Sequence, residues 1–236
     1  ACGYVPLTQG VMVSRPPVLP GRRAGAGLRR KRTIGEAEVE TDKDRHTFHL
    51  VGIGGSGMSA IAQVLKHHGH RVRGSDRSRD RGEHGELYGI LASQGIALYP
   101  QDGSGVDPQV DEVVVSASVE ETIPDVQSAR QLEIPVRKRA EILARMLSRG
   151  VGVAVGGTSG KTTVTGMIGH ILVHAGRDPT VINGGIMANA VRPPCLGNVI
   201  CGDPDLPVIE ADESDGSIAC YDPAVSVLTN ISLDHK

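Results

Sequence analysis

Residues Val151 to His170, VGVAVGGTSGKTTVTGMIGH, restrict the possible folds more than any other stretch of the chain. Val151, Val153 and Val155 form an apolar run of β type that feeds a glycine turn. Gly160-Lys161-Thr162 then opens a helical pattern through Met167, Ile168, Ile171 and Leu172. Strand, glycine loop, Lys-Thr and helix together make a phosphate cradle. Backbone N–H groups and the helix N-terminus face an anion, the lysine reaches terminal phosphates, and the threonine hydroxyl can hold Mg²⁺. The spacing departs from GxxxxGK[ST], because Val155 stands where the first glycine belongs. Gly-Lys-Thr alone occurs by chance, and a glycine-rich turn can be purely structural. The valine strand before it and the helix behind it point to ATP, held by Gly157, Thr158, Ser159, Gly160, Lys161, Thr162 and Thr163.

Such a cradle needs a parallel sheet, and the composition agrees. One Phe, four Tyr and no Trp leave Val, Ile, Leu and Ala to build the core, which suits strands buried on both faces. The 236 residues have room for one large or two modest domains. A net charge of −2 gives no argument for nucleic acid or a membrane surface. No apolar run approaches the roughly twenty residues of a membrane span. Cys2, Cys195, Cys201 and Cys220 show no CxxC pairing, so they are expected as free thiols in a reducing cytoplasm.

Residues 1–45 are rich in Pro, Gly and Arg, with RRKR at Arg29 to Arg32, and show neither strand nor helix period. They are expected to be a disordered basic tail, and no apolar stretch follows the arginines as a secretory signal would require. Order is expected from His46. TFHLVGIG reads as a buried strand running into Gly52, Ile53, Gly54, Gly55, Ser56 and Gly57, followed by a helix from Met58 to His68. A second strand ends in Gly74-Ser75-Asp76. This is βαβ with GxGxxG at its first turn and an acid about two dozen residues on, the dinucleotide pattern. The same geometry serves any diphosphate placed on a helix N-terminus, including that of a UDP-sugar. Asp76 either accepts from a ribose hydroxyl or solvates a strand end. A further strand, Asp111 to Ser118, ends in Ser116, Ala117 and Ser118 at the sheet edge where ligands bind in open α/β folds. The expected fold is α/β: a Rossmann-like parallel-sheet domain over 46–149, then a truncated P-loop α/β ATPase domain over 150–236. Met187 to Cys201 reads as a loop. The chain opens on Ala1 and ends at Lys236 with no closing element, as a fragment would.

A phosphate cradle also needs an acid for its metal. Mg²⁺ takes an octahedral shell of oxygens from carboxylates, water and substrate phosphates. Glu210 ends the apolar strand Leu206 to Glu210, and Asp212, Glu213, Ser214 and Asp215 crowd the turn after it. A solvated acidic loop is the alternative, but clustered like charge at a strand end favours a bound cation. His235 follows the strand Val225 to Leu228 and, taken by itself, is a surface residue.

GIGGSGMS (Gly52 to Ser59, including Met58), GSD (Gly74 to Asp76), GTSGKTT (Gly157 to Thr163), EADESDGS (Glu210 to Ser217) and TNISLDH (Thr229 to His235) occur in that order. Together they resemble the Mur ligases of peptidoglycan synthesis, over about Phe48 to Lys236. The resemblance implies an N-terminal UDP-binding domain, a central ATPase domain and a C-terminal domain that helps bind the amino acid. It assigns Gly52 to Ser59 to the UDP-sugar diphosphate and Ser116 to Ser118 to a loop closing over that nucleotide. Arg137 to Glu141 resembles a stretch near the substrate. Thr162, Glu210 and His235 match the family's magnesium ligands, with Lys161, Glu210 and His235 as the catalytic set. GIGGSGMS and EADESD are most similar to the branch that joins L-alanine to UDP-N-acetylmuramate in the cytoplasm. Members of that branch usually read GTHGKTT and DHMD, whereas this chain has Ser159 and Lys236 at two of those positions.

The implied chemistry suits the residues. Carboxylate oxygen is a poor leaving group, so transfer of the ATP γ-phosphoryl to the muramate carboxylate gives an acyl phosphate that the amine can attack. Lys161 and Mg²⁺ would neutralise charge while the two glycine turns position the reactants. Other readings remain open: a related ligase with another amine or acceptor, an NAD-dependent oxidoreductase, or a non-catalytic nucleotide-binding module. The 236 residues alone are expected to bind nucleotide without turnover. Nothing in the sequence fixes the oligomeric state.

Overall fold

The structure is a computed structural model that describes residues 12–14, 45–117, 120–212 and 217–232. Its elements form two sheets. Strand β1 (Met12–Ser14) belongs to the second sheet. From there the chain runs through β2 (Thr47–Val51), α1 (Ser56–His67), β3 (Arg71–Ser75), the short α2 (Arg77–Asp80), α3 (Gly85–Ser93) and β4 (Ala97–Tyr99). β5 (Glu112–Val115), α4 (Pro124–Gln131), β6 (Val136–Lys138) and α5 (Arg139–Leu147) complete the first sheet. Its order is β4-β3-β2-β5-β6, and every neighbouring pair is parallel. β2 and β5 are buried along their whole length, which is why TFHLV and EVVV read as continuous runs rather than alternations.

The second sheet starts at β7 (Val153–Gly156), followed by α6 (Lys161–His174), β8 (Pro179–Ile182), β9 (Val199–Ile200), β10 (Asp203–Glu210) and β11 (Val225–Leu228). Its order is β1-β11-β7-β10-β8-β9. The four central strands run parallel, and β1 and β9 are antiparallel edges. The doubly wound α/β class expected from the sequence is the class observed. Two edges differ from expectation. Met12–Ser14 lies within the stretch expected to be disordered, yet it pairs with β11. Val199–Ile200 lies within the expected loop, yet it pairs with β8. Strands of two or three residues are too short to show a period, and in both places the neighbouring edge supplies the hydrogen bonds.

A single apolar cluster runs through both sheets. Leu50, Ile61, Val64, Leu143 and Leu147 from the first half pack in one core with Ala154, Ile182, Val199 and Ile209 from the second. Gly150 sits in the turn between α5 and β7, where a Cβ would lie 2.8 Å from the backbone of Asp205. The close approach at that turn holds β10 against the end of α5.

Candidate functional site

Both glycine turns lie at the carboxyl ends of their parallel strands, where helix N-termini point out of the sheet. In the second, β7 ends at Gly156 and the chain turns through Gly157 at φ 132° and Gly160 at φ 80° before α6 begins. Both angles are ones that ordinary side chains rarely adopt. A Cβ on Gly157 would also sit 2.9 Å from the Asn230 carbonyl. The first turn of α6 carries no acid and no side-chain cap, so its N–H groups are left for an anion. Lys161 Nζ reaches back to the Gly157 carbonyl at 2.8 Å, which holds the ammonium over the turn.

The end of β11 braces this turn from beside it. Asn230 Oδ1 accepts the Ser159 N–H at 3.1 Å, and Asn230 Nδ2 donates to the Ser159 carbonyl and hydroxyl at 2.9 and 3.1 Å. Thr229 donates to the same carbonyl at 2.6 Å, and the Ser232 N–H donates to Thr158 Oγ1 at 3.0 Å. Ser159 is therefore tied down through both main chain and side chain.

Thr162, in the first turn of α6, donates its hydroxyl to Glu210 Oε1 at 3.0 Å. The other oxygen, Oε2, accepts the Gly184 N–H at 2.7 Å. β10 delivers Glu210 beside β7 and β8, and the Asn183-Gly184 turn after β8 fixes the carboxylate. Among the described residues no three His, Cys, Asp or Glu side chains converge as a metal cage. A hydroxyl and a carboxylate held together at a solvent-facing turn nonetheless suit Mg²⁺, which keeps several waters and takes the remaining oxygens from phosphates. His235, Ser118 and the acidic residues Glu213 and Asp215 lie outside the described residues.

The first glycine turn is tied to the neighbouring strand. The N–H groups of Gly52 and Ile53 both donate to the Ser75 carbonyl, at 2.8 and 3.1 Å. β3 passes so close that a Cβ on Gly74 would lie 2.9 Å from the Leu50 carbonyl. Asp76 uses Oδ2 to accept the Gly54 N–H at 2.7 Å and Oδ1 to accept the Ser78 N–H at 2.9 Å, capping α2. Burial, with the Asp76 carboxylate beside it, pushes the Tyr88 hydroxyl up to about 12, so it remains a donor across the neutral range. Asp76 thus holds the turn in shape. A carboxylate has about four lone-pair sites, which leaves capacity for a further hydroxyl. α1 starts at Ser56 with no acid in its first turn and no side-chain cap, as α6 does. Ile53 and Met58 are buried beneath the turn, and Ser59 is buried on the helix. Ser116 and Ala117 follow β5, the strand beside β2, and so share this edge.

The start of α1 opens onto a cleft of about 240 Å³, lined by Ser56, Gly57, Arg139 and Leu143 on one side and by Asn183, Gly184, Glu210 and Asp212 on the other, so that it faces the carboxylate that Thr162 contacts. The Arg139 guanidinium packs against Gly57 and lies 3.7 Å from the Asp212 carboxylate, spanning the cleft. A second hollow of about 440 Å³ flanks Thr162 and Thr163 and is closed by Asn183, Ile186 and Met187. A third, of about 430 Å³ and lined by His46, His68, His70 and Arg149 among others, contains none of the expected site residues. The structure therefore places Gly52 to Ser59 and Asp76 at the carboxyl end of the first sheet and Gly157 to Thr163 and Glu210 at that of the second, with Ser56, Gly57 and Glu210 on one cleft. The sequence reading did not single out Gly184 or Asn230 by role, whereas Arg139 falls within the Arg137 to Glu141 stretch expected near the substrate. Gly184 and Asn230 stand within visible NGG and TN turns, and those turns were the available signal.

The family description "Mur ligase family, catalytic domain" matches residues 47–150, and "Mur ligase middle domain" matches residues 155–236. A UDP-N-acetylmuramate–L-alanine ligase from Rubrobacter xylanophilus is 43% identical over 187 residues, which are 79% of this chain and 40% of the relative. The enzyme of that name from Aquifex aeolicus is 42% identical over 193 residues, 80% of this chain and 39% of its own. The crystal structure of UDP-N-acetylmuramate-alanine ligase from Thermotoga maritima superposes with a TM-score of 0.67 at 32% identity, covering 80% of this chain and 42% of that one. A UDP-N-acetylmuramate:L-alanyl-γ-D-glutamyl-meso-diaminopimelate ligase from Neisseria meningitides also gives 0.67, at 27% identity, covering 81% and 62%. The chain thus spans about 40% of the length of the curated relatives it matches. With both halves matched in order, this chain belongs to the Mur ligase family.

Proposed function

We propose that this chain provides the sugar-nucleotide and ATP seats of an ATP-dependent amide ligase that joins L-alanine to UDP-N-acetylmuramate in the cytoplasm. The observation that carries the reading is the shared cleft. Ser56 and Gly57 at the start of α1 face the same space as Glu210 and Gly184. A diphosphate on the first turn and a phosphoryl donor on the second would bring their reacting groups to one place. The 42–43% identity to alanine ligases supports the choice of substrates. No helix among the described residues is long and apolar enough to cross a membrane.

ATP, when bound, supplies the phosphoryl group that converts the muramate carboxylate oxygen into a leaving group for the amine. The chain's own residues do the rest. Gly52 to Ser59 would seat the UDP diphosphate on the N-terminus of α1, with Asp76 shaping the turn and Ser116 and Ala117 after the neighbouring strand. Gly157 to Thr163 seat the ATP phosphates, and Lys161 neutralises their charge. Thr162 and Glu210 would hold Mg²⁺, and the family resemblance adds His235 as a third ligand. Most of the rate enhancement assigned to these groups is positioning and charge stabilisation.

Calorimetric titration of the chain with Mg·ATP, UDP-N-acetylmuramate and NADH tests this directly. Binding of the first two and not the third is expected, and NADH binding with no response to the sugar nucleotide would overturn the proposal. The tripeptide-ligating relative shares the same fold at lower identity. Phosphate release by the protein with UDP-N-acetylmuramate, compared between L-alanine and tripeptide, decides the amine.

A further inference from the structure

Beneath the cleft lies a buried polar network that links the two seats. Asn198, just before β9, donates Nδ2 to the Ser56 carbonyl at 2.9 Å and to the Ser59 hydroxyl at 3.2 Å. Its Oδ1 accepts from Gln63 Nε2 at 3.0 Å, and Gln63 Nε2 also donates to the Ser59 carbonyl at 3.1 Å. Gln63 Oε1 accepts the Leu196 N–H at 3.2 Å and Gln94 Nε2 at 3.1 Å. The main chain continues the path. The Asn198 carbonyl accepts the Asn183 N–H at 3.0 Å, and the next residue, Gly184, donates its N–H to Glu210. Glu210 in turn accepts from Thr162. Hydrogen bonds, joined through the Asn183-Gly184 peptide link, therefore run from the N-terminus of α1 to the threonine at the start of α6.

Ser59, Gln63, Asn183 and Asn198 are each no more than 5% exposed. Buried amides and hydroxyls are tolerated when their partners are all in place, and such a network specifies one arrangement. One group stands out as incomplete. Asn183 Oδ1 is buried without a hydrogen-bond partner among the described residues, and Asn183 lines both hollows beside Thr162 and Glu210. The path is thus closed at the sugar-nucleotide end and has spare accepting capacity at the metal end.

We infer that Asn198 is a positioning residue that couples the two seats, so that occupation of the α6 turn by Mg·ATP tightens binding of the sugar nucleotide at the α1 turn. The inference rests on the proposed function, which supplies the two ligands. The physical basis is the ordering of the shared network. The first ligand to bind restrains Glu210, the Asn183-Gly184 turn and Asn198, and the second then binds a turn already held. Linkage requires the effect to be reciprocal: UDP-N-acetylmuramate must tighten Mg·ATP by the same factor.

The test is a four-titration cycle by calorimetry on the whole chain, with UDP-N-acetylmuramate and a non-hydrolysable Mg·ATP analogue, each alone and in the presence of the other. The expected coupling is about fivefold or more in the wild type, equal in both directions, and about one in Asn198→Ala. A merely structural role would weaken each ligand alone and leave this ratio unchanged, so an unchanged ratio in Asn198→Ala overturns the inference. A second measurement needs no variant. The analogue should slow amide hydrogen exchange in residues 52–59 of the wild-type chain, which the α6 turn does not touch, and unaltered exchange there would also overturn it. Absence of any binding by UDP-N-acetylmuramate would overturn the proposed function and this inference together, an outcome distinct from binding without coupling.

Discussion

Thr162 and Glu210, 48 positions apart in the chain, meet at 3.0 Å where the first turn of α6 faces the end of β10. The pairing requires the register that places Glu210 opposite Val155, the residue just before the glycine turn. Had β10 slipped by one residue, its side chains would have exchanged faces and the carboxylate would point away from the hydroxyl. The sheet register and the Thr162–Glu210 pairing, the proposed metal seat, are one structural fact.

Glu210→Gln tests that seat with little change of shape. If the carboxylate holds Mg²⁺, the wild-type chain binds ATP at least about tenfold more tightly with Mg²⁺ than with chelator, equivalent to about 1.4 kcal/mol. In the variant most of that difference should vanish while affinity without metal stays close to wild type. Titrations in Mg²⁺ and in EDTA give the comparison directly. An undiminished Mg²⁺ effect would remove Glu210 from the metal.

Gly157 and Gly160 both have left-handed backbone, but their surroundings differ. A Cβ at Gly160 meets nothing within 4 Å, so Gly160→Ala carries only the backbone cost of about 1 kcal/mol. At Gly157 the φ of 132° lies in a region essentially restricted to glycine, and Thr229 and Asn230 crowd the same space. Gly157→Ala should therefore cost roughly 1–3 kcal/mol and also displace the brace on Ser159. Urea midpoints give the two stabilities, and the nucleotide titration should fail only for Gly157→Ala.

The sequence showed the parallel core clearly because buried strands carry unbroken apolar runs. EVVV of β5 and VAVG of β7 are such runs, buried at every position. It showed the ends of those strands for the same reason, which is why Thr162 and Glu210 could be named. It concealed whatever depends on distant partners. β9 is a strand only because β8 offers an edge. β10 starts at Asp203 rather than Leu206, because an irregular register lets Asp203 pair with Pro179. α2 is four polar residues with no apolar face, and its one signal was Asp76 at the cap. Asn198 and Gln63 gave no local hint, since the bonds that tie Asn198 to α1 span more than 130 positions.

His68 gives the chain an acid-side weakness. It sits half-buried at the C-terminus of α1, its Nε2 against the Gly202 carbonyl at 3.1 Å. Burial lowers its pKa from the ordinary 6.5, only partly offset by that carbonyl. The neutral ring is therefore favoured in the folded state, and the unfolded chain binds more protons as pH falls below 6.5. Its contribution to stability is complete above 6.5 and is lost as the pH drops through that value towards the lowered one. The drop in melting temperature between pH 7.5 and pH 5.5 should be smaller in His68→Gln than in wild type. An equal or larger drop would mean that His68 does not set this dependence.

The sharpest stability test lies in the first sheet, away from the ligands. His49 on β2 and Asp125 in the first turn of α4 are both fully buried, with Nε2 and Oδ1 3.1 Å apart. Neither has a well-directed hydrogen bond to any other group among the described residues. Among the described residues, each side chain therefore has the other as its close charged partner. Asp125 gains something from the N-terminus of α4, where a negative charge is favoured. His49, inside β2, has no such compensation. His49→Leu should then cost roughly 1–3 kcal/mol, mostly through the orphaned carboxylate. Asp125→Leu should cost a similar amount through the orphaned imidazole. Because each single change pays for the partner left behind, the double variant should lose clearly less than the two singles combined, a coupling of the size seen for residues in direct contact. Urea denaturation of the four proteins at pH 7.5 measures that coupling. Strict additivity would mean that the two groups are buried independently and that their proximity contributes nothing to holding α4 on the sheet.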